Sequence, residues 1–154
     1  MKVSACELCE RAESPAWIEI FRDSRLRVLR VLDTPDFPAF YRVVWVDHVA
    51  ELSDLAPDDR AHCLEAVVAV ERALREVLAP TKINLASLGN MVPHLHWHVI
   101  ARFDWDSHFP GPIWAARQRD PQPAASARIG GLLNKLDDAV RRGIAGLSDG
   151  LGSI

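Results

Sequence analysis

The stretch HLHWHVIARF, residues 94–103, sets three of the chain's six histidines, His94, His96 and His98, at every second position. On an extended strand these positions share one face, while Leu95, Trp97 and Val99 share the other. The apolar set is expected to face a core, which leaves three imidazoles along one surface. Imidazole titrates near neutrality, so such a row can ligate a metal, hold a phosphate or supply a nucleophile. Same-face Cα atoms on a strand are about 7 Å apart and the outer pair about 13 Å. Two imidazoles can share one ion, but three would need a strong bend, so a zinc held by the row itself ranks last. Divided labour fits better, with one ring attacking while its neighbours hold a phosphate and aid the leaving group. A second constellation is CELC, with Cys6 and Cys9. A redox C-x-x-C expects a thioredoxin-like strand and helix around it. None is legible here, so metal is the better expectation.

The elements that position these residues follow from pattern. AWIEIF and LRVLRVL read as two strands of a hairpin across the polar break RDS. DTPDFPAF reads as a loop, and YRVVWV as a third strand. A helix is expected from Asp58 to Ala79, after Pro57, with Asp58 and Asp59 complementing its N-terminal dipole and Pro80 stopping it. Cys63, Val67, Val70, Leu74 and Val77 form its apolar stripe. KINLASLGN and HLHWHVIARF read as two further strands that pair, separated by the Gly89-Asn90 step and Pro93. A Pro-rich connection then leads to a second amphipathic helix, roughly Ala125 to Leu147, weakened at Gly130 and Gly131 and frayed by Gly143 and Gly146. The order ββ, β, α, ββ, α predicts an α+β class, an antiparallel sheet with a long helix packed on one face and a C-terminal helix.

Composition bounds the function. The chain has 154 residues, 49% hydrophobic and 25% charged, with a net charge of −3. One domain spanning 1–154 is expected. Scattered Lys and Arg give no footprint for a nucleic-acid backbone, no run is long enough to span a membrane, and a small ligand is the expected partner. The acidic start lacks the apolar stretch of a signal peptide, so a cytoplasmic location with reduced cysteines is expected.

HLHWHVI resembles the signature of the histidine-triad (HIT) superfamily, His-φ-His-φ-His-φ-φ with φ apolar. The longer GNMVPHLHWHV is similar to the family's Gly-Gln-x-Val-x-His-x-His-x-His form, with Asn90 for Gln. With DHVAELSDL before the long helix, the likeness runs through residues 6–104 and leaves 105–154 without a motif. The resemblance, to bacterial diadenosine polyphosphate hydrolase-like HIT proteins, implies a nucleotide-binding α+β fold, usually a homodimer. Such proteins attack the α-phosphate of dinucleoside polyphosphates or nucleoside phosphoramidates and need no organic cofactor. It implies His96 as the nucleophile that forms a nucleotidyl-histidine, its tautomer set by a backbone carbonyl. It further implies His98 as a phosphate contact that assists the leaving group, Asn90 as a phosphate donor, Asn84 as a nearby polar residue and Asp33 as a ribose contact. Some branches of the family bind a structural zinc, and the matching ligands are Cys6, Cys9, His48 and His94, a closed Cys2His2 set. A nucleotide-binding or sensing module with little turnover is the alternative.

Two departures stand out. Relatives carry Pro-Gly-His before the third strand where this chain has PAFY, so Phe40 or Tyr41 replaces an additional histidine. Ala101 stands where proline often follows His-Val-Ile. Elsewhere Cys63 reads as a core thiol and His62 as exposed, Arg102 as a surface arginine ahead of a phosphate contact, KLDDAVRR as a solvated face, and His108 and Trp114 as a lid or base-stacking pair or an interface.

Overall fold

The structure, a computed structural model, describes residues 6–10 and 14–149. A short helix α1 (Glu7–Glu10) precedes β1 (Trp17–Arg22), β2 (Leu26–Val31) and β3 (Phe40–Trp45). The long helix α2 (Pro57–Leu78), β4 (Lys82–Ala86), β5 (His96–Arg102), α3 (Ala125–Ile129) and α4 (Leu133–Asp149) follow. The five strands form one antiparallel sheet in the order β1-β2-β3-β5-β4.

Local chemistry accounts for the joints. Asp23 turns the β1–β2 hairpin by accepting from the N–H groups of Arg25 and Leu26 at 2.7 and 2.8 Å. Pro57 opens α2, and Ala79, at φ 44°, closes it in the left-handed region with its N–H on the Arg75 carbonyl.

Alternation divides the sheet. Leu26, Val28, Tyr41, Val43, Trp45, Val99 and Ala101 pack against Cys63, Val67, Val70 and Leu74 of α2 and Leu136, Val140 and Ile144 of α4. Both long helices thus cover one face, as the pattern predicts. The opposite face carries Phe40, Arg42, Val44, His96, His98, Ile100 and Arg102, paired Phe40 to Ile100, Arg42 to His98 and Val44 to His96.

Four expectations need correction. The C-terminal helix is broken by a 3-10 turn at Gly130–Leu132, then runs unfrayed through Gly143 and Gly146 to Asp149. Packing outweighs the helix cost of those glycines, since Gly143 lies against Ala69 of α2. KLDDAVRR is not wholly solvated. Asp137 is buried, accepting from Arg30 Nε at 2.9 Å, Arg30 Nη2 at 3.1 Å and Tyr41 Oη at 2.6 Å. Burial and the neighbouring Asp137 carboxylate push the Tyr41 phenol upward, so it stays a donor. His62 is 4% exposed, with Nε2 3.3 Å from Asp23 Oδ2, because the hairpin folds over its helix. Arg102 is 1% exposed for reasons given below.

The Arg30–Asp137–Tyr41 cluster joins the C-terminal helix to the sheet. Asp137→Asn removes the charge and one acceptor while keeping the shape. It is expected to cost about 2 kcal/mol, the usual size for hydrogen bonds to a charged group. Urea unfolding should show the midpoint falling with an unchanged slope.

Candidate active site and metal centre

α1 lies where the loops before β5 and after β3 converge. There Cys9 Sγ is 3.4 Å from both His48 Nδ1 and His94 Nδ1, and Cys6 Sγ is 3.4 Å from His94 Nδ1. All four donor atoms lie within 4.8 Å of one another. Ligand bonds of about 2.3 Å to sulfur and 2.0 Å to nitrogen at tetrahedral angles put S and N about 3.5 Å apart, so the set fits a zinc ion. His94 Nε2 is 2.6 Å from the Trp45 carbonyl, which can only accept. The proton therefore sits on Nε2 and the Nδ1 lone pair faces the thiols, the usual support for a metal-binding imidazole. β5 begins only at His96, so His94 stands just outside the strand expected to carry it.

His96 is oriented by the same residue. Its Nδ1 donates to the His94 carbonyl at 2.6 Å, which leaves Nε2 as the free lone pair. Burial lowers the His96 pKa, opposed by that hydrogen bond and reinforced by the charge of Arg42, so the ring is neutral at pH 7. The His98 ring stands edge-on to His96 at 4.9 Å. Burial above all, then His96 and Arg42, lower its pKa to about 3. Its Nδ1 is buried without a partner among the described residues.

Both histidines open into a cavity of about 400 Å³ lined also by Glu7, Leu8, Arg42, Gly89, Asn90 and Trp114. A second cavity, of about 300 Å³, shares Arg42 and Trp114 and adds Asp33, Thr34, Phe37, Phe40 and Ile113. The structure thus gathers His96, His98 and Asn90 in one chamber and places Asp33 in the next. Asn84 lines a third hollow beside Trp114, its Oδ1 accepting from Arg102 Nη1 at 2.7 Å. Thr34 Oγ1 and Arg42 Nε are buried without partners among the described residues. Thr34 and Arg42 line the cavities, where a ligand's polar groups can complete these atoms.

Arg102 is an anchor rather than a surface residue. It donates to both Asp106 carboxylate oxygens at 2.8 and 3.0 Å and to the Gly111 carbonyl at 2.7 Å. This holds the loop after β5 across the sheet. The loop carries Trp114, 52% exposed and edge-on to His98 at 5.2 Å, and His108, which packs on Phe37 at 5.4 Å. The PAFY question also resolves. Phe40 faces the site, 5.4 Å from His98, while Tyr41 points to the helices. Sequence reasoning passed over Arg42 and Thr34; Arg42's signal was its same-face alternation with Phe40 and Val44 on the strand beside the histidines.

Chemically, the chamber presents a neutral imidazole nitrogen to an electrophile beside a fixed positive charge. A five-stranded antiparallel sheet with helices on one face and ordered histidines on the other defines a histidine-triad fold. The HIT domain family matches residues 13–105, and the chain belongs to that family, whose members are in general nucleotide hydrolases. A histidine triad protein from Bradyrhizobium japonicum is 32% identical over 84% of this chain and 91% of its own, with a TM-score of 0.67. One from Sinorhizobium meliloti is 26% identical over 81% and 87%, at 0.64. A Zn-bound histidine triad family protein from Mycobacterium smegmatis, 24% identical over 89% of each chain, shares the fold at 0.52. Comparison with curated proteins returned no match. Among the described residues no helix is long and apolar enough to cross a membrane.

Proposed function

We propose that the protein hydrolyses or transfers nucleotidyl groups, attacking the α-phosphate of dinucleoside polyphosphates or nucleoside phosphoramidates through His96. The observation that carries this reading is the 2.6 Å bond from His96 Nδ1 to the His94 carbonyl, which leaves the Nε2 lone pair free for attack. The Nε2 lone pair forms the N–P bond as the P–O or P–N bond to the leaving group breaks, the leaving group departing with the electron pair. Water then delivers hydroxide to phosphorus and restores neutral His96, releasing a proton. His98, neutral, donates its N–H to the leaving oxygen or nitrogen, which takes up a proton as it departs, and the Asn90 amide donates to a phosphoryl oxygen. Asp33 accepts from ribose hydroxyls, with Asn84 a nearby polar contact.

Cys6, Cys9, His48 and His94 are proposed to hold a structural zinc, consistent with a family member that binds it. Four protein ligands leave no open position, so the ion would fix α1 and His94 rather than meet substrate. Reduced thiolates suit a cytoplasmic setting. A homodimer is proposed with β4, an edge strand with Leu85 exposed, as the surface available for pairing.

The test is to incubate the protein with a diadenosine polyphosphate or an adenosine phosphoramidate, quench in alkali and weigh the intact chain. A gain of one nucleotidyl group mapping to His96 is expected. Nucleotide bound with no adduct and no product would instead favour a sensing module, which Phe40 in place of the family's additional histidine makes a specific alternative. Trp114→Ala should raise KM about tenfold with little change in kcat, the scale of one lost base-stacking contact. Steady-state kinetics would show it, and an unchanged KM would remove Trp114 from base recognition.

A further inference from the structure

The transferred phosphoryl group carries negative charge on its oxygens through the displacement, and a fixed positive group beside neutral donors stabilises it further. His98 stays neutral through the physiological range, its pKa lowered to about 3, so it brings hydrogen-bonding capacity but no charge. Among the described residues lining the two linked cavities, Arg42 is the only lysine or arginine. It stands directly across the ladder from His98, lines both chambers, and its charge is felt by both His96 and His98. Its guanidinium carbon rests 5.5 Å from the Phe40 ring, and its Nε is buried with no partner among the described residues. Asp33 and Glu7 lend it opposing charge.

We propose that Arg42 is a further catalytic residue, which binds the transferred α-phosphoryl group where the nucleoside chamber meets the histidine chamber. The guanidinium offers a planar fork of donors suited to two phosphoryl oxygens at once, and its charge is permanent. Its place is telling, because Phe40 occupies the position of the family's additional histidine and Arg42 is the next residue on that face of β3. The cation thus enters from the neighbouring register, packed on the aromatic ring that took the histidine's place. The aromatic wall also shields the guanidinium from water, which strengthens its pull on an anion.

The proposal rests on His96 being the nucleophile, and the experiment separates the two. Rapid-quench measurement of adduct formation at His96 from diadenosine tetraphosphate is run on the wild type, Arg42→Gln and Arg42→Lys, with AMP and adenosine binding measured alongside. Arg42→Gln is expected to slow adduct formation about 10²-fold, the usual loss for one group that stabilises developing charge. It should weaken AMP binding about tenfold while leaving adenosine binding unchanged. Arg42→Lys keeps the charge but not the fork, so it should fall between the two, and it carries the test should the glutamine variant fail to fold. A wild type that forms no adduct overturns the nucleophile reading and this proposal with it. A wild-type adduct that forms as fast in both variants overturns the role of Arg42 alone. So does an equal loss of AMP and adenosine affinity, which would make Arg42 merely structural.

Discussion

His96→Ala is expected to lower kcat for nucleotide hydrolysis by about 10⁴-fold or more while nucleotide affinity changes little. The magnitude follows from the kind of step removed. A nucleophile that divides one difficult displacement into two acts only along the reaction coordinate, so its loss falls on kcat rather than on ground-state binding. The variant should still fold, because His96 makes one side-chain hydrogen bond, to the His94 carbonyl, and its neighbours Trp97 and Val99 keep their places against the helices. Single-turnover kinetics and equilibrium binding of AMP, taken together, check it. Residual turnover near that of the wild type would remove His96 as the nucleophile. Loss of affinity in step with rate would mean that the ring serves mainly as a contact.

Why the row of histidines was legible while its surroundings were not has a physical explanation. A strand alternates by geometry, so His96 and His98 opposite Trp97 and Val99 could be read from local order alone, and the long helix declared itself through Pro57, two aspartates and a five-residue stripe. Burial of charge is different, because it is decided by partners distant in the chain. Arg30 and Asp137 are 107 residues apart, and nothing near either announces the other. Arg102 looked like a surface residue until Asp106 and the Gly111 carbonyl closed over it, and His62 until Asp23 did the same. Each error took a polar side chain as solvated when a complete set of partners made burial tolerable. The Cys2His2 donors, also scattered along the chain, were placed through family resemblance, and the fold brings all four within one ion's reach.

That convergence makes metal removal the second large effect. Incubation with a strong chelator is expected to release one zinc per chain and lower Tm by about 8 to 16 °C. Free zinc at about 10³ times its Kd adds about 4 kcal/mol to the folded state, and a domain of this size loses about 2 to 4 °C per kcal/mol. Without an ion the two thiols and two imidazoles keep weak contacts of 3.4 Å, and α1 is held by the bond of 2.6 Å from Arg27 Nη2 to the Leu8 carbonyl and by the packing of Cys6 and Leu8 on Trp17, Leu29 and Val44. The consequence reaches the active site, since Glu7 and Leu8 line the histidine chamber and the His94 carbonyl sets the His96 tautomer. Loss of the groups that orient a metal's ligands commonly changes activity 10- to 100-fold, and adduct formation at His96 should slow by about that factor on chelation. Cys9→Ser should reproduce both losses, whereas Cys63→Ser, altering a thiol buried against α2's neighbours and pushed up to about 11 by that burial, should leave the metal content unchanged. Elemental analysis and calorimetry read the first effect and rapid quench the second. A protein purified free of zinc, with the same Tm before and after chelator, would reduce the four donors to a thiol–imidazole cluster held by packing alone.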